Sequence, residues 1–361
     1  MSTGPTGAGT PPVSVIIPCY DERRWPQLVA AVDSARRQSP APAEVVVSVD
    51  HNDALLRRAR RELTGVTVLA NRFTRGASGN RNTAAFHTRT PLIAMLDDDA
   101  YAHPGWLAGL VAPFADPGVV GTGGRTLPAW EGARPAWFPD EYLWVVGASF
   151  AGGPAEPGPV RNVWALSMAV RRDVFSAVGG FRESFGKVAD RNRPEDTELC
   201  LRMTAASGGG RWWFVPDAVV DHAVSEARAR FGYFVARCWS EGRGKVAMAR
   251  LDSHRESLGS ERDYLRRTLP RAVVRGLGDA LRGRGAAHAA RAATVLTGIA
   301  VAGLGGMVEL ARPAGRPTVA APRPGTAGPE PDPGTAAGAS ATGTGATADE
   351  RDAPELTSGR S

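Results

Sequence analysis

Residues 91–100 read PLIAMLDDDA, an apolar run that ends abruptly in three adjacent carboxylates, Asp97, Asp98 and Asp99. Like charges crowded at one strand end repel one another, and a fold gains nothing from them unless a cation neutralises the set. Hard oxygen donors at the carboxyl end of a strand suit Mg2+ or Mn2+, ions that commonly carry a phosphate-bearing substrate. The competing reading is a solvated acidic turn before the helix that begins near Pro104. A second stretch, RGASGNRNTA, resembles a phosphate loop in composition. It lacks the Gly-Lys-Ser/Thr ending of a P-loop and the spacing of a dinucleotide fingerprint, so both of those are rejected.

The elements that must position these residues alternate in the first half of the chain. Strands are expected at Val13–Ile17, Val45–Val49, Val66–Leu69 and Leu92–Leu96. Helices are expected over Pro26–Arg37, Ala54–Leu63, Gly79–Thr88 and Trp106–Phe114. This β-α-β-α order with near-continuous apolar strands implies a parallel sheet covered on both faces, where ligands sit at the carboxyl ends of the strands. Pro18–Glu22, Asp50 and Asp97–Asp99 all fall at that edge. The second half is less regular. Arg125–Pro159 is expected as a long connection rich in Trp, Pro and Gly. A strand over Asn162–Val170 and a helix over Arg171–Val178 follow, then a helix over Glu195–Ala206 opened by Pro194, and two short strands, Arg211–Val215 and Ala218–Asp221.

Composition bounds the rest. The 361 residues include 43 glycines and 28 prolines, many of them near the two ends, so residues 1–12 and 312–361 are expected to be disordered. The three cysteines, Cys19, Cys200 and Cys238, show no paired or metal-binding spacing and fit reduced cytosolic thiols. No signal peptide is evident at the N-terminus. Between Glu226 and Arg291 the chain carries 15 Arg and Lys against 7 Asp and Glu. That excess suits anionic lipid, phosphate groups or nucleic acid, or a solvated helix face. Ala292–Val308 then runs 17 residues without a charge. It is only weakly hydrophobic, and an interfacial or packed helix is expected rather than a membrane span.

The order of motifs resembles glycosyltransferase family 2, the inverting nucleotide-sugar transferases, over about Ser14–His222. The resemblance implies a GT-A fold: an α/β domain with a mostly parallel sheet covered by helices over residues 13–225, followed by a basic helical extension over 226–311. VSVIIPCYDE is similar to the family's opening strand and loop, which implies that Pro18, Tyr20 and Glu22 line a nucleotide pocket. In VVVSVDHND the resemblance makes Asp50 the partner of the nucleotide base, although Asp50 could also cap the helix containing Leu55. Arg81 and Asn82 match a Gly-x-x-x-Arg-Asn element near the nucleotide.

LDDDA matches the DXD motif, with Asp97 facing the ribose or the metal's water shell and Asp99 binding Mn2+ or Mg2+ directly. His222, in VVDHAV, matches a histidine that ligates the same metal, and a mixed oxygen and imidazole set would favour Mn2+. GGFRESFGKVADRNRPEDTELCLRM places Asp196 at the position of the catalytic base and Glu195 beside it to orient the acceptor. Placement at a helix N-terminus is expected to keep Asp196 ionised.

Two departures qualify the resemblance. Ala165, Leu166 and Ser167 stand where relatives often carry Gly-x-Asn, so sugar specificity does not carry over. The Gln-x-x-Arg-Trp element of processive synthases is missing, and RCWSEGRGK at Arg237–Lys245 is similar to non-processive members acting on lipid-linked acceptors. The implied activity is transfer of one sugar from a nucleotide-sugar donor to a saccharide or lipid-linked acceptor, in cell-envelope polysaccharide or glycolipid synthesis. The implied place is the cytoplasm, peripheral at the anionic inner face of the cell membrane. A nucleic-acid- or membrane-binding protein on an inactive transferase fold is the alternative. It is disfavoured because Asp99, Asp196 and His222 are all retained and no nucleic-acid-binding signature is present, so no nucleic-acid partner is expected. A nucleotidyltransferase is disfavoured because PCYDERRW offers no Gly-rich, Lys-containing loop after the first strand.

Overall fold

Nine strands build the central sheet, and their order explains why the acidic motifs meet. The structure, a computed structural model, describes residues 11–188, 191–251 and 263–312. The expectations for the first ten residues and for the tail from 313 lie outside them. The first strands are β1 (Val13–Cys19), β2 (Glu44–Val49), β3 (Thr67–Ala70) and β4 (Leu92–Leu96). They pair in parallel in the order β3-β2-β1-β4. Each is buried on both faces except the outermost, β3, as their Val- and Ile-rich runs require. The intervening helices are α1 (Trp25–Arg36), α2 (Asp53–Glu62) and α3 (Ala77–His87). In α1, Leu28, Ala31, Val32 and Ala35 recur on one face and are buried against the sheet. Full burial of Leu28 alone contributes about 1.5–3 kcal/mol. The N-cap of α2 is Asn52, whose Oδ1 accepts the Leu55 N–H at 3.0 Å. Asp50 does not serve that role and is left for the sheet edge.

The second half of the sheet is mixed. After β5 (Ala100–Ala102) and α4 (Trp106–Val111), the chain forms a 12-residue strand, β6 (Val119–Trp130), where the sequence reading expects the long connection to begin. Its glycines disguise it. A Cβ on Gly121 would fall inside the Trp212 ring, so the glycine serves a close approach rather than a turn. The next central strand, β8 (Ser167–Arg171), runs antiparallel between β4 and β6. The short strand β7 (Gly158–Val160) pairs with β11 (Arg211–Val224). The sequence reading splits β11 in two at Pro216–Asp217, and the structure keeps one strand with a register shift between Val215 and Val219. Helix α5 (Arg172–Ala177) and the small hairpin β9 (Gly186–Val188) and β10 (Arg191–Arg193) lead to α6 (Glu195–Ala206), whose bounds match expectation.

Beyond the sheet run α7 (Phe231–Leu251), a π-helical turn Tyr264–Thr268, α8 (Leu269–Leu281) and α9 (Ala286–Ala311). An aromatic cluster including Phe138, Tyr142 and Phe234 joins them to the connection after β6. In the same region Arg275 pairs with the buried Glu141 at 2.5 Å. Helix α9 packs closely on α7 through Gly305 over the Trp239 backbone and through Ala302 against Gly242. Its other side exposes Leu296, Leu304, Met307 and Leu310. It is long and apolar enough to cross a membrane by length and composition, with 22% of its most apolar window buried.

Candidate active site

The carboxyl ends of β1, β2 and β4, together with α3, α6 and β11, hold two acidic clusters linked by one arginine. Arg81, buried on α3, donates from Nη2 to Asp97 Oδ1 at 2.7 Å and from Nη1 to Glu195 Oε1 at 3.4 Å. Its guanidinium also lies 5.7 Å from the Phe181 ring. The DDD and ED motifs, about a hundred residues apart in sequence, therefore share a cation.

Asp98 and Asp99 are buried, and burial of carboxylates without cations would cost several kcal/mol each. Arg24 answers both, at 2.8 Å to Asp98 Oδ1 and 3.1 Å to Asp99 Oδ2. Burial and the neighbouring Asp99 still push the Asp98 carboxyl up to about 7. For Asp99, burial is outweighed by the hydrogen bond and charge of His222 and by Arg24 and Arg228, which hold it well below the ordinary carboxylate range. The strand register sets this pairing. His222 on β11 lies opposite Ala100 on β5, and the Ala223 N–H donates to the Asp99 carbonyl at 2.8 Å. His222 Nε2 then stands 3.3 Å from Asp99 Oδ1. Its Nδ1–H donates to the Val146 carbonyl at 2.9 Å, which fixes the ring with Nε2 facing the carboxylate. Gly147, with φ 76°, admits this approach, because a Cβ there would meet the imidazole.

A carboxylate oxygen and an imidazole held in place by the Val146 carbonyl are a fitting partial donor set for Mn2+ or Mg2+, completed by diphosphate oxygens and water. Among the described residues no three acidic, His or Cys side chains gather into a full cage. Asp97, expected near ribose and metal, turns to Arg81 instead of joining Asp99 and His222.

The second cluster is different in kind. Asp196 sits in the first turn of α6, with the Ala165 N–H hydrogen-bonded to its carboxyl, yet its Oδ1 is shielded from solvent and has no partner. Burial, with the charge of Glu195 beside it, raises the carboxyl to about 7 against the lowering effect of Arg81. The expected ionising pull of the helix N-terminus is overridden: loss of water outweighs a terminal dipole worth about 0.3–1 kcal/mol. The departure at Ala165–Ser167 lies here too. Its side chains are buried, and it contributes a backbone donor to Asp196 while Ser167 accepts from the Trp106 indole at 2.9 Å. One turn further along α6, Glu198 pairs with Arg202, whose guanidinium also donates to the Val178 and Gly180 carbonyls at 2.7 Å. That network fixes the Gly-Gly-Phe turn against α6.

The remaining expected residues divide. Asp50 stands at the end of β2 with three donors on it: Asn71 at 2.7 Å, His51 at 2.8 Å and the Gly76 N–H at 2.9 Å. A carboxylate accepts about four hydrogen bonds, so one further bond is open. Tyr20 is 54% exposed at the mouth, with the Arg24 guanidinium 5.3 Å from its ring. Pro18 lies inside β1, opposite Ser48, one residue before the strand ends. Glu22 is exposed, 3.9 Å from Arg58. Asn82 is structural in its contacts, since both ends of its amide bond the Phe181 backbone, at 2.7 and 2.8 Å. Sequence reasoning missed Arg24, Arg228 and Asn80. The last ties β1 to β2 through the Cys19 and Ser48 carbonyls. The signal for Arg24 was its nearness to Tyr20 and Glu22 in the opening loop, and for Arg228 its place six residues after His222.

The profile described as Glycosyl transferase family 2 matches residues 14–179. A glucosyl-dolichyl phosphate glucuronosyltransferase of Haloferax volcanii is 31% identical over 241 residues, covering 65% of this chain and 77% of that protein. An uncharacterized protein of Sinorhizobium fredii is 28% identical over 247 residues, covering 61% of this chain and 25% of its own length. Among solved structures, a mannosyltransferase of Pyrobaculum calidifontis in complex with GDP-Man and Mn2+ superposes with a TM-score of 0.55 at 21% identity. The superposition covers 82% of this chain and 88% of that one.

Proposed function

This chain belongs to glycosyltransferase family 2 and is a glycosyltransferase of the GT-A fold, and on that premise we propose that it moves a single sugar, with inversion, from a nucleotide-sugar donor to a lipid-linked acceptor. The observation that carries this reading is the shielded, unpartnered Oδ1 of Asp196, raised to about 7 beside Glu195. A base poised near operating pH takes the acceptor hydroxyl's proton as that oxygen attacks the anomeric carbon and the bond to the diphosphate breaks. One displacement at that carbon inverts it.

Glu195 and Arg81 orient the groups around Asp196, while Asp50 and Tyr20 receive the nucleotide base and Asp97 its ribose. Asp99 and His222 would hold Mn2+ or Mg2+, which when bound neutralises charge on the departing diphosphate. The acceptor class is supported by the relative that acts on glucosyl-dolichyl phosphate. The exposed apolar side of α9 also supports it, as do Val274, Leu277 and Leu281 on α8 next to exposed arginines such as Arg282. Together these suit peripheral attachment at an anionic, cytoplasmic membrane face, with residues 13–225 as the catalytic part and 226–311 as the attachment part.

The test is turnover of a nucleotide-sugar panel by the full chain with vesicles carrying a glycosylated polyprenyl phosphate, with Mn2+, Mg2+ or EDTA. The expected product carries one added sugar of inverted configuration by NMR and vanishes in EDTA. A polymer, a retained configuration or metal-independent turnover contradicts the reading. In parallel, the chain should float with anionic vesicles at low salt, and protein left at the bottom contradicts the membrane assignment.

A further inference from the structure

Arg228 lies on the turn Ser225–Arg230, between β11 and α7, and reaches back into the Asp99–His222 pair. Its Nη2 stands 3.4 Å from Asp99 Oδ2 and its Nη1 donates to His222 Nε2 at 3.3 Å. These are the two donors that suit a divalent ion, and the guanidinium takes the lone pairs of both. Arg24 neutralises Asp99 from another direction at 3.1 Å and is also committed to Asp98. Arg228 has no second acid among its described contacts, and its side chain keeps 23% exposure, so it has a route out of the site.

We propose that Arg228 is a resident counter-cation that competes with the divalent ion for Asp99 and His222 and must leave them when the ion binds. The inference deepens the metal reading above and rests on it. In the metal-free protein Arg228 compensates the buried Asp99 carboxylate, which unpaired would be costly. The same contact lowers the ion's apparent affinity, because only the fraction of molecules with Arg228 displaced is ready to bind. The turn that carries Arg228 leads directly into α7, with the Phe234 N–H bonded to the Arg230 carbonyl at 3.2 Å.

The test is Mn2+ binding to the full chain with saturating UDP or GDP, which supply the diphosphate oxygens, followed by electron paramagnetic resonance, alongside melting in EDTA. Arg228→Gln should tighten Mn2+ binding by about three- to tenfold and lower the melting temperature in EDTA. Those opposite signs are not produced by general damage to the fold. Arg230→Gln removes the same charge two residues away and should change Mn2+ affinity less than about twofold. If Arg228→Gln fails to fold, Arg228→Lys, which keeps the charge but not the fork, should tighten binding by a smaller factor. Wild-type binding that Arg228→Gln leaves unchanged or weakens overturns this inference alone, as does equal tightening by Arg230→Gln. Absence of Mn2+ binding by both proteins overturns the metal reading and this inference with it.

Discussion

Two acidic clusters stand at the same edge of the sheet in opposite surroundings. Asp99 is met by Arg24, Arg228 and the His222 imidazole within 3.4 Å, whereas Asp98 has Arg24 alone, keeps a buried Oδ2 without a partner and is pushed up to about 7. Asp196 and Glu195 share one arginine between them, and an Asp196 oxygen is left without a partner. Asp99, whose charge is compensated, stays ionised for a cation and a diphosphate; Asp196, left short of partners, can take a proton. Arg81 is the hinge of the contrast, bonded to Asp97 on one side and Glu195 on the other.

The largest expected effect breaks the base side alone. Asp196→Asn should cut sugar transfer by about 10²- to 10⁴-fold, measured as initial rate with saturating donor. It should also melt higher than wild type at pH 8. The folded Asp196 titrates near 7, so between the ordinary carboxylate range and pH 7 the folded state keeps a proton that the unfolded chain has lost. Stability therefore falls as pH rises through that window, and the amide removes the fall. A lower melting temperature would contradict the environment assigned to Asp196.

Removal of the shared cation should injure both clusters. Arg81→Met leaves Asp97 and Glu195 without their guanidinium and is expected to cost about 3–5 kcal/mol in denaturant unfolding. A loss below 1 kcal/mol would mean the two sites are not coupled through it. A smaller effect sharpens the contrast by pH. The kcat/KM profile should rise through about 7 as Asp196 loses its proton, and in Glu195→Gln this limb should move to lower pH, because the Glu195 charge is part of what raises Asp196. An unmoved limb would separate the two carboxylates. Smallest is Asn52→Ala, which removes the α2 cap and should cost about 1 kcal/mol without moving that limb.

The parallel half of the fold was legible because periodicity and burial agree there: Leu92–Leu96 matches to the residue and β1 to β3 within two, and in the mixed half the helix Glu195–Ala206 matches as well. Strand β6 was hidden because Gly121 and its neighbours look like turn residues when their reason is the Trp212 ring beside them. The carboxylates of the site were visible as motifs at strand ends. The arginines that answer them were not, since nothing in a local pattern says which of many arginines will fold back onto Asp99 or between Asp97 and Glu195. The protonation of Asp196 was misread for a related reason. A helix N-terminus is visible in sequence, whereas the depth at which it is buried depends on Ala165 and the rest of a distant strand region.

The division of labour between the clusters is tested most directly by titration calorimetry of nucleoside diphosphates with Mn2+ into wild type, Asp99→Asn and Asp196→Asn. The account predicts that Asp99→Asn abolishes the Mn2+-dependent part of nucleotide binding while Asp196→Asn binds within about twofold of wild type. Equal loss in both variants, or wild-type affinity that is the same in EDTA as in Mn2+, would contradict it.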